Sequence, residues 1–217
     1  DILSFWREAG RDRWYRRDDA FDAEVRERYL ELWRQASAGE LASWEACDDG
    51  ALALTIVLDQ FPRNMFRGDA LAYSSDRLAR DVAIRAIDRG IDARIDPALR
   101  EFLYLPLEHS EHLPDQLRCV ELFRGTENVE NLDYAEQHAD IIRRFGRFPH
   151  RNKILQRPNT PAEDDFLDNS TFRFDLPLVR GPDGAIVFAG SVKKRTVTLL
   201  DHEYETLPPD VNEASPG

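Results

Sequence analysis

Residues 51–60, ALALTIVLDQ, constrain the fold more than any other segment, because as a helix they are apolar around the whole circumference. A helix of this kind is stable only where other elements surround it on every side. Asp48 and Asp49 come before the segment and Pro62 follows it, so the sequence predicts a central buried helix that ends at Pro62. A buried strand is the alternative, since residues 55–57 are β-branched.

Start and stop signals divide most of the first 170 residues into short amphipathic helices. The starts are Asp18-Asp19, Asp96-Pro97 and the capping box Thr160-Pro161-Ala162-Glu163, and the ends are Gly39, Gly90 and Gly146. Pro106 and Pro114 cut a further stretch into short helical pieces. Because the helices and their connections are short, we predict a mainly α domain over residues 1–170, built as an antiparallel array of helical hairpins.

The composition changes after about Thr171. Three short β-prone runs follow, FDLPLV, AIVFA and VKKRTVTLL, and the turn sequence GPDG separates the first two. We therefore predict a second region over residues 171–217, which consists of a small β hairpin or meander and a loose tail.

The formal net charge of −12 argues against nucleic acid as a general partner, because a polyanion is repelled by an acidic protein. No apolar run approaches the roughly 18 residues that a membrane span needs, so no membrane partner is predicted. Cys47 and Cys119 are far apart in the sequence, which is typical of reduced thiols in the cytoplasm. No glycine-rich phosphate loop is present, and no cofactor is predicted.

The stretch from Ile141 to Ala162 is cationic, although the chain as a whole is acidic. It contains no Asp or Glu, and its basic residues are Arg143, Arg144, Arg147, Arg151, Lys153 and Arg157, with His150 among them. Gly146 and Pro149 break the helix here, so some of these side chains can converge on an anionic ligand. The alternatives are ion pairs with the protein's own carboxylates, or binding of an acidic protein partner.

A second polar motif, DQFPRNMFRG, directly follows the apolar segment and therefore begins near the core. In a structural interpretation Asp59 pairs with an arginine, Asn64 caps a turn and Gly68 takes a positive φ. In a functional interpretation Arg63 and Arg67 hold a ligand anion while Asp59 orients one of them. The two are compatible, because an ion pair that fixes a guanidinium also preorganises a binding site.

Two histidines are candidates for acid–base chemistry. His109 lies in PLEHSEH, and His138 shares the apolar face of a predicted helix with Tyr134 and Ile141. A histidine beside a carboxylate can accept or donate a proton near neutral pH. For His138 the alternative is a hydrogen-bonded histidine at the edge of the core.

The same histidines could belong to a metal site. The candidate ligands are Glu108 or Glu111 together with His109, His112 and His138. However, His109 and His112 are three residues apart, whereas the zincin motif places its two histidines four apart. No metal site is therefore assigned, and a metal-dependent enzyme stays an alternative.

Three motifs resemble, in order, segments of the bacterial domain-of-unknown-function family 924: LDQFPRNMFRG, FLYLPLEHSE and HADIIRRFGRFPHRNKIL. The opening ILSFW and the TPAE of residues 160–163 are similar to the family's ends. The resemblance covers about residues 1–170 and implies a fold similar to tetratricopeptide-type helical hairpins. It implies no activity, since the family is named for having none assigned. Gln156 and Pro158-Asn159 depart from the Gly-Arg-x-Ser type of connection expected there.

These features predict a cleft that binds a small anionic metabolite, with acid–base chemistry by a histidine as a further step. The predicted catalytic residues are Asp59, His109 and His138. The predicted ligand-binding residues are Arg63, Asn64, Arg67, Arg147, His150, Arg151 and Asn152. The alternatives are a helical scaffold that binds an acidic peptide and the metal-dependent enzyme.

Overall fold

The computed structural model describes residues 1–169, 178–180 and 186–188. Within residues 1–169 it contains eight α-helices: α1 (Ile2–Tyr15), α2 (Asp19–Ser37), α3 (Asp48–Met65), α4 (Asp76–Asp88), α5 (Glu101–Glu108), α6 (Leu113–Arg124), α7 (Val129–Phe145) and α8 (Pro161–Asn169). Three 3₁₀ helices lie between them in this range: Ala42–Ala46, Ala70–Tyr73 and Pro149–Arg151. The prediction of a mainly α domain is thus confirmed for the described residues.

The central helix is α3, and α2, α4 and α5 all pack against it. Its side chains at Ile56, Val57 and Phe61 are fully buried. The β-branched Thr55 fits inside the helix because its hydroxyl donates to the carbonyl oxygen of Ala51 at 2.8 Å. The prediction of a buried central helix is confirmed, and the strand alternative is wrong.

Pro62 does not end this helix, which continues to Met65 with the proline inside it. A proline has no N–H, so it leaves the carbonyl four residues earlier, that of Leu58, without its usual helical partner. The hydroxyl of Ser75 donates to this carbonyl oxygen at 2.6 Å, and Trp33 Nε1 donates to the Ser75 hydroxyl at 3.0 Å. A side chain from the start of α4 therefore replaces the missing hydrogen bond.

Aromatic rings fix α1 to the rest of the core. The fully buried Trp6 ring lies 5.7 Å from that of Phe61 and 5.5 Å from that of Phe102, measured between centroids. Gly10, with φ of 71°, bends α1 in its middle. The bend brings Trp14 back onto Trp6, with 6.2 Å between the ring centroids, so both halves of α1 contribute to the core.

One predicted helix start and one predicted break are corrected by the structure. α5 begins at Glu101 and not after Pro97, because residues 97–100 form turns although Asp96 accepts the expected capping bond from the N–H of Ala98 at 3.0 Å. Pro106 lies inside α5, so the break before α6 falls at residues 109–112.

Two predicted boundaries are confirmed. Gly146 ends α7 in the left-handed conformation, with φ of 68°. At the start of α8, the N–H of Glu163 donates to the Thr160 hydroxyl at 3.3 Å, and the N–H of Thr160 donates to the Glu163 carboxylate at 2.7 Å. These two bonds are the reciprocal pair of a capping box.

The chain divides into two compact units, residues 1–175 and 176–217. In the second unit, strands β1 (Leu178–Arg180) and β2 (Ile186–Phe188) pair antiparallel, with Val179 opposite Val187. Most of residues 171–217 lie outside the described residues, so the hairpin or meander, the boundary at residue 170 and the tail stay predictions. The antiparallel, tetratricopeptide-like arrangement of helices also stays a prediction.

None of the described helices combines the length and the apolar character that crossing a membrane would require. The predicted cytoplasmic location stays a prediction.

Candidate functional site

Ionisable side chains meet where the last turns of α3, the start of α4, the end of α5, helix α7 and the segment after α7 come together. We call this set the polar cluster, and its members are Asp59, Arg63, Asp76, Glu108, His109, His138 and Arg151. Asp59, Glu108, His138 and Arg151 are buried, whereas Arg63, Asp76 and His109 are partly exposed. Buried ionisable groups are costly unless they are paired, so such a cluster is a candidate site.

Asp59 and Arg63 lie one turn apart on α3. Arg63 Nη1 is 3.2 Å from Asp59 Oδ1 and donates to the backbone carbonyl oxygen of Asp59 at 2.6 Å. The same guanidinium donates to both carboxylate oxygens of Asp76, at 2.9 and 3.1 Å. Asp76 is held in place because its neighbour Ser75 is bonded to the Leu58 carbonyl left free by Pro62.

Asp59 and His109 form a hydrogen-bonded pair, with 2.8 Å between Asp59 Oδ1 and His109 Nδ1. Burial raises the pKa of the Asp59 carboxyl, but the charge of Arg63 and the contact with His109 outweigh burial and lower that pKa to about 2. Asp59 is therefore an ionised acceptor at neutral pH, and His109 Nδ1 must donate. Burial and the charge of Arg63 lower the pKa of His109, so the ring is neutral with Nε2 unprotonated.

Arg151 is the least satisfied cation of the cluster. Its side chain is 8% exposed, and its Nη1 lies 3.5 Å from Asp76 Oδ2. Its guanidinium carbon lies 4.7 Å from the ring centroid of Tyr73 and 4.5 Å from that of Phe148. Its Nε is buried without a hydrogen-bond partner. Burial and the charge of Arg63 lower the pKa of Arg151. Both guanidinium groups contact the Asp76 carboxylate, which they therefore share.

Glu108 and His138 form a second, uncharged pair. Glu108 Oε1 lies 3.6 Å from His138 Nδ1, and Glu108 Oε2 is buried without a hydrogen-bond partner. Burial, together with the charge of Asp59, raises the pKa of Glu108 to about 8, so it is mostly protonated at neutral pH. Burial lowers the pKa of His138 to about 3, and its Nδ1 donates to the carbonyl oxygen of Tyr134 at 2.8 Å.

His150 is half-buried beside the cluster, and its ring centroid is 5.5 Å from that of Phe148. Burial, followed by the charge of Arg151, lowers its pKa to about 2. The His150 ring is therefore neutral at physiological pH. In the predicted ligand-binding role it would supply no positive charge.

Two residues of the DQFPRNMFRG motif face a different partner. The Arg67 guanidinium donates to both carboxylate oxygens of Asp22, at 2.7 and 2.8 Å. Asn64 Nδ2 also donates to Asp22, at 2.7 Å. Both are among the predicted ligand-binding residues, but the structure uses them to tie the end of α3 to α2.

Arg147 and Asn152 are likewise engaged away from the polar cluster. Arg147 donates to both oxygens of the Glu163 carboxylate, at 2.6 and 2.7 Å, and so holds α8. Asn152 Nδ2 donates to Asn159 Oδ1 at 2.8 Å. The structure does not bring these two residues together with Arg151. They are bound instead by Glu163 and Asn159, which follow them in the chain.

The candidate metal ligands do not converge. Among the described residues, no three His, Cys, Asp or Glu side chains form a group that could hold a metal ion. Glu111 accepts two bonds from the Arg157 guanidinium, at 2.7 and 2.9 Å, and one from the N–H of Phe148 at 2.8 Å. His112 is exposed. The metal-dependent alternative therefore loses its ligand set in the described part of the chain.

Sequence reasoning missed Asp76 and Tyr73, which both face Arg63 and Arg151. Asp76 looks like an ordinary acidic residue in the first turn of a helix, so no local pattern marks it. The signal that could have found it is Pro62, whose freed carbonyl requires a donor from another element.

Two grooves on the described surface lie elsewhere. A groove of about 490 Å³ follows α2 and is bordered by Ala23 and Arg34. A second, of about 370 Å³, is bordered by Tyr29 and Trp44. Neither is lined by residues of the polar cluster, which reaches the surface through partly exposed atoms of Arg63, Asp76 and His109.

These features define the class as a helical protein in which a buried aspartate pairs with a partly exposed histidine beside two arginines. The chain belongs to a family described as bacterial protein of unknown function (DUF924), which it matches over residues 2–171. It is similar to a solved structure, the protein of unknown function ATU0120 from Agrobacterium tumefaciens, with 44% sequence identity and a TM-score of 0.75. That similarity covers 78% of this chain and 96% of the other. No curated protein matches the chain.

Proposed function

We propose that the polar cluster binds a small anionic metabolite and that His109 acts on it as a general base. The observation that carries this proposal is the 2.8 Å contact between the buried Asp59 carboxylate and His109 Nδ1. A carboxylate in this position fixes the tautomer of the ring and turns Nε2 into the acceptor. Burial of the ionised Asp59 carboxylate is costly, and buried ionisable groups of this kind are concentrated at functional sites.

Arg63 and Arg151 supply the binding half of the site. Guanidinium groups pair with carboxylate or phosphate through two parallel hydrogen bonds, which suits an anionic ligand. The Arg63 side chain is 19% exposed, and Arg151 Nε is a buried donor without a hydrogen-bond partner. A ligand anion held here lies beside the Asp59–His109 pair, because Arg63 contacts Asp59 directly.

In the proposed step, His109 Nε2 takes a proton from the bound ligand and becomes an imidazolium. Asp59 stabilises that charge through Nδ1–H, and the neutral ring is restored when the proton leaves to product or water. The Glu108 carboxyl nearby is mostly protonated at neutral pH and therefore adds no further negative charge to the cluster.

The test is a thermal-shift screen of small carboxylates and phosphates on wild type, Arg151→Ala and Arg147→Ala. A ligand of the site stabilises wild type and Arg147→Ala but leaves Arg151→Ala unaffected. If Arg151→Ala responds as wild type does, the binding site is wrong.

For any ligand found, conversion is then followed by NMR with His109→Gln and the exposed control His112→Gln. His109→Gln should bind but not convert the ligand, whereas conversion by His109→Gln would exclude the proposed base.

A further inference from the structure

We infer that the anionic group of the ligand is a carboxylate and that it binds by taking the place of Asp76 between Arg63 and Arg151. This inference rests on the proposed function, since it names the substrate class of the same site. Asp76 then competes with the ligand carboxylate for the two arginines and can be displaced by it. It holds the two arginines in position until a ligand arrives.

Asp76 satisfies one arginine well and the other poorly. Both of its oxygens accept from Arg63, at 2.9 and 3.1 Å, whereas Arg151 Nη1 is 3.5 Å away and its buried Nε has no partner. The main chain of α4 limits where the Asp76 carboxylate can go. A carboxylate that is not tethered to α4 can approach both guanidinium groups, and it can supply the acceptor that Arg151 lacks.

The charge of the cluster fixes the charge of the group that fits. Arg63 and Arg151 are balanced by Asp59 and Asp76, while His109, His138 and Glu108 are uncharged at neutral pH. Removal of the Asp76 charge leaves one unbalanced positive charge. A monocarboxylate restores neutrality, whereas a dianion leaves a buried negative excess.

The Asp76 carboxylate can be displaced into solvent, because the residue stands at the edge of the site. Its side chain is 20% exposed, and it lies in the first turn of α4. A carboxylate turned towards water there remains favoured by the helix dipole. Arg151 stays in place meanwhile, because the Tyr73 and Phe148 rings lie within 5 Å of its guanidinium carbon.

The test titrates acetate, a monoanion, and sulfate, a dianion, into ¹⁵N-labelled protein followed by NMR. The chains are wild type, Asp76→Asn, Asp76→Ser and the matched control Asp22→Asn, which removes the partner of Arg67 instead. We expect acetate to bind both Asp76 variants at least about tenfold more tightly than wild type, because a tethered competitor has been removed. Sulfate gains less, and the control binds as wild type does.

Equal or weaker acetate binding by the folded Asp76 variants overturns the inference, as does a larger gain for sulfate. The wild-type protein provides a test that does not depend on the folding of any variant. In wild type, acetate must shift the resonances of the Asp76 amide and of Arg151 Nε–H together. A shift at Arg151 without one at Asp76 overturns the displacement and leaves the proposed function standing. No binding of either anion to any chain overturns both.

Discussion

Arg63 and Arg67 leave the same end of α3 one turn apart, yet the two meet different surroundings. Arg67 is 38% exposed and forms a closed pair with Asp22, to which Asn64 adds a third hydrogen bond. Arg63 is 19% exposed and shares the Asp76 carboxylate with Arg151. The first centre has one cation for one anion, and the second has two cations around one carboxylate.

The difference shows how a structural tie is distinguished from a candidate binding site. At Asp22 the donors and acceptors match, so a ligand would have to break good hydrogen bonds without improving them. At Asp76 the charges balance only with the help of Asp59, and Arg151 Nε is left without an acceptor. Ligands gain most where buried polar groups are incompletely paired.

The largest predicted effect comes from Asp59→Ala compared with Asp22→Ala. Loss of the buried Asp59 carboxylate leaves His109 without its partner and Arg63 with Asp76 as its remaining carboxylate, which costs about 3–5 kcal/mol of unfolding free energy. Asp22→Ala removes a more exposed pair and costs about 1 kcal/mol. Urea unfolding at pH 7 measures both. Equal losses of unfolding free energy would mean that the two centres contribute equally to stability, which would contradict the difference drawn between them.

The next effect is a pH dependence due to Glu108. Its pKa in the folded protein is about 8, above its ordinary 4.5, so between these values the folded state holds a proton that the unfolded state has lost. Wild-type stability therefore falls as pH rises through this window. Glu108→Gln removes this loss, and from pH 5 to pH 9 its stability relative to wild type should rise by roughly 2–4 kcal/mol.

Urea unfolding across this pH range measures the Glu108 effect. Asp22→Asn is the control, because it should keep the wild-type slope with pH. A wild type whose stability runs parallel to that of Glu108→Gln would show that Glu108 is ionised in the folded protein.

A smaller difference in unfolding free energy is expected between Arg151→Met and Arg67→Met. Replacing a poorly paired buried arginine with an apolar side chain of similar length should change the unfolding free energy by less than about 1 kcal/mol or raise it. Arg67→Met should lose up to about 1 kcal/mol, since it breaks a matched pair. Thermal unfolding together with acetate titration checks this, because only Arg151→Met should abolish binding.

The smallest effect is spectroscopic and is read from the folded protein without unfolding it. At pH 7, ¹H–¹⁵N spectra of the imidazole rings should show His109 neutral, with its proton on Nδ1, because Asp59 is an ionised acceptor. Asp22→Asn should leave this signal unchanged, whereas Asp59→Ala should abolish the tautomer preference. A doubly protonated His109 at pH 7 would contradict the assignment of Nε2 as acceptor.

The sequence predicts those features that depend on local chemistry. The segment 51–60 is predictable as a buried helix because its apolar side chains surround the helix axis, and Gly146 and the Thr160–Glu163 capping box act within one turn. Part of the cluster could be predicted in the same way, since Asp59 and Arg63 directly follow the buried run and are one helical turn apart.

Partners set by tertiary packing could not be predicted. Arg147 and Arg151 are four residues apart in one cationic stretch, and nothing local distinguishes them. The structure pairs Arg147 with Glu163 and places Arg151 in the polar cluster, because the chain turns at Gly146 and again at Pro149–Arg151. Gln156 is a similar case, since it takes a φ of 54° where a glycine was expected.

The central position of α3 has a consequence for motion. Its amides are covered by α2, α4 and α5, so their hydrogens should exchange with solvent only when the whole helical domain opens. Asp59 and Arg63 lie on the last turns of this helix, where the Asp59 side chain is buried and Arg63 is held between Asp59 and Asp76. Folding has already ordered these side chains. Ligand binding would therefore cost little side-chain conformational entropy.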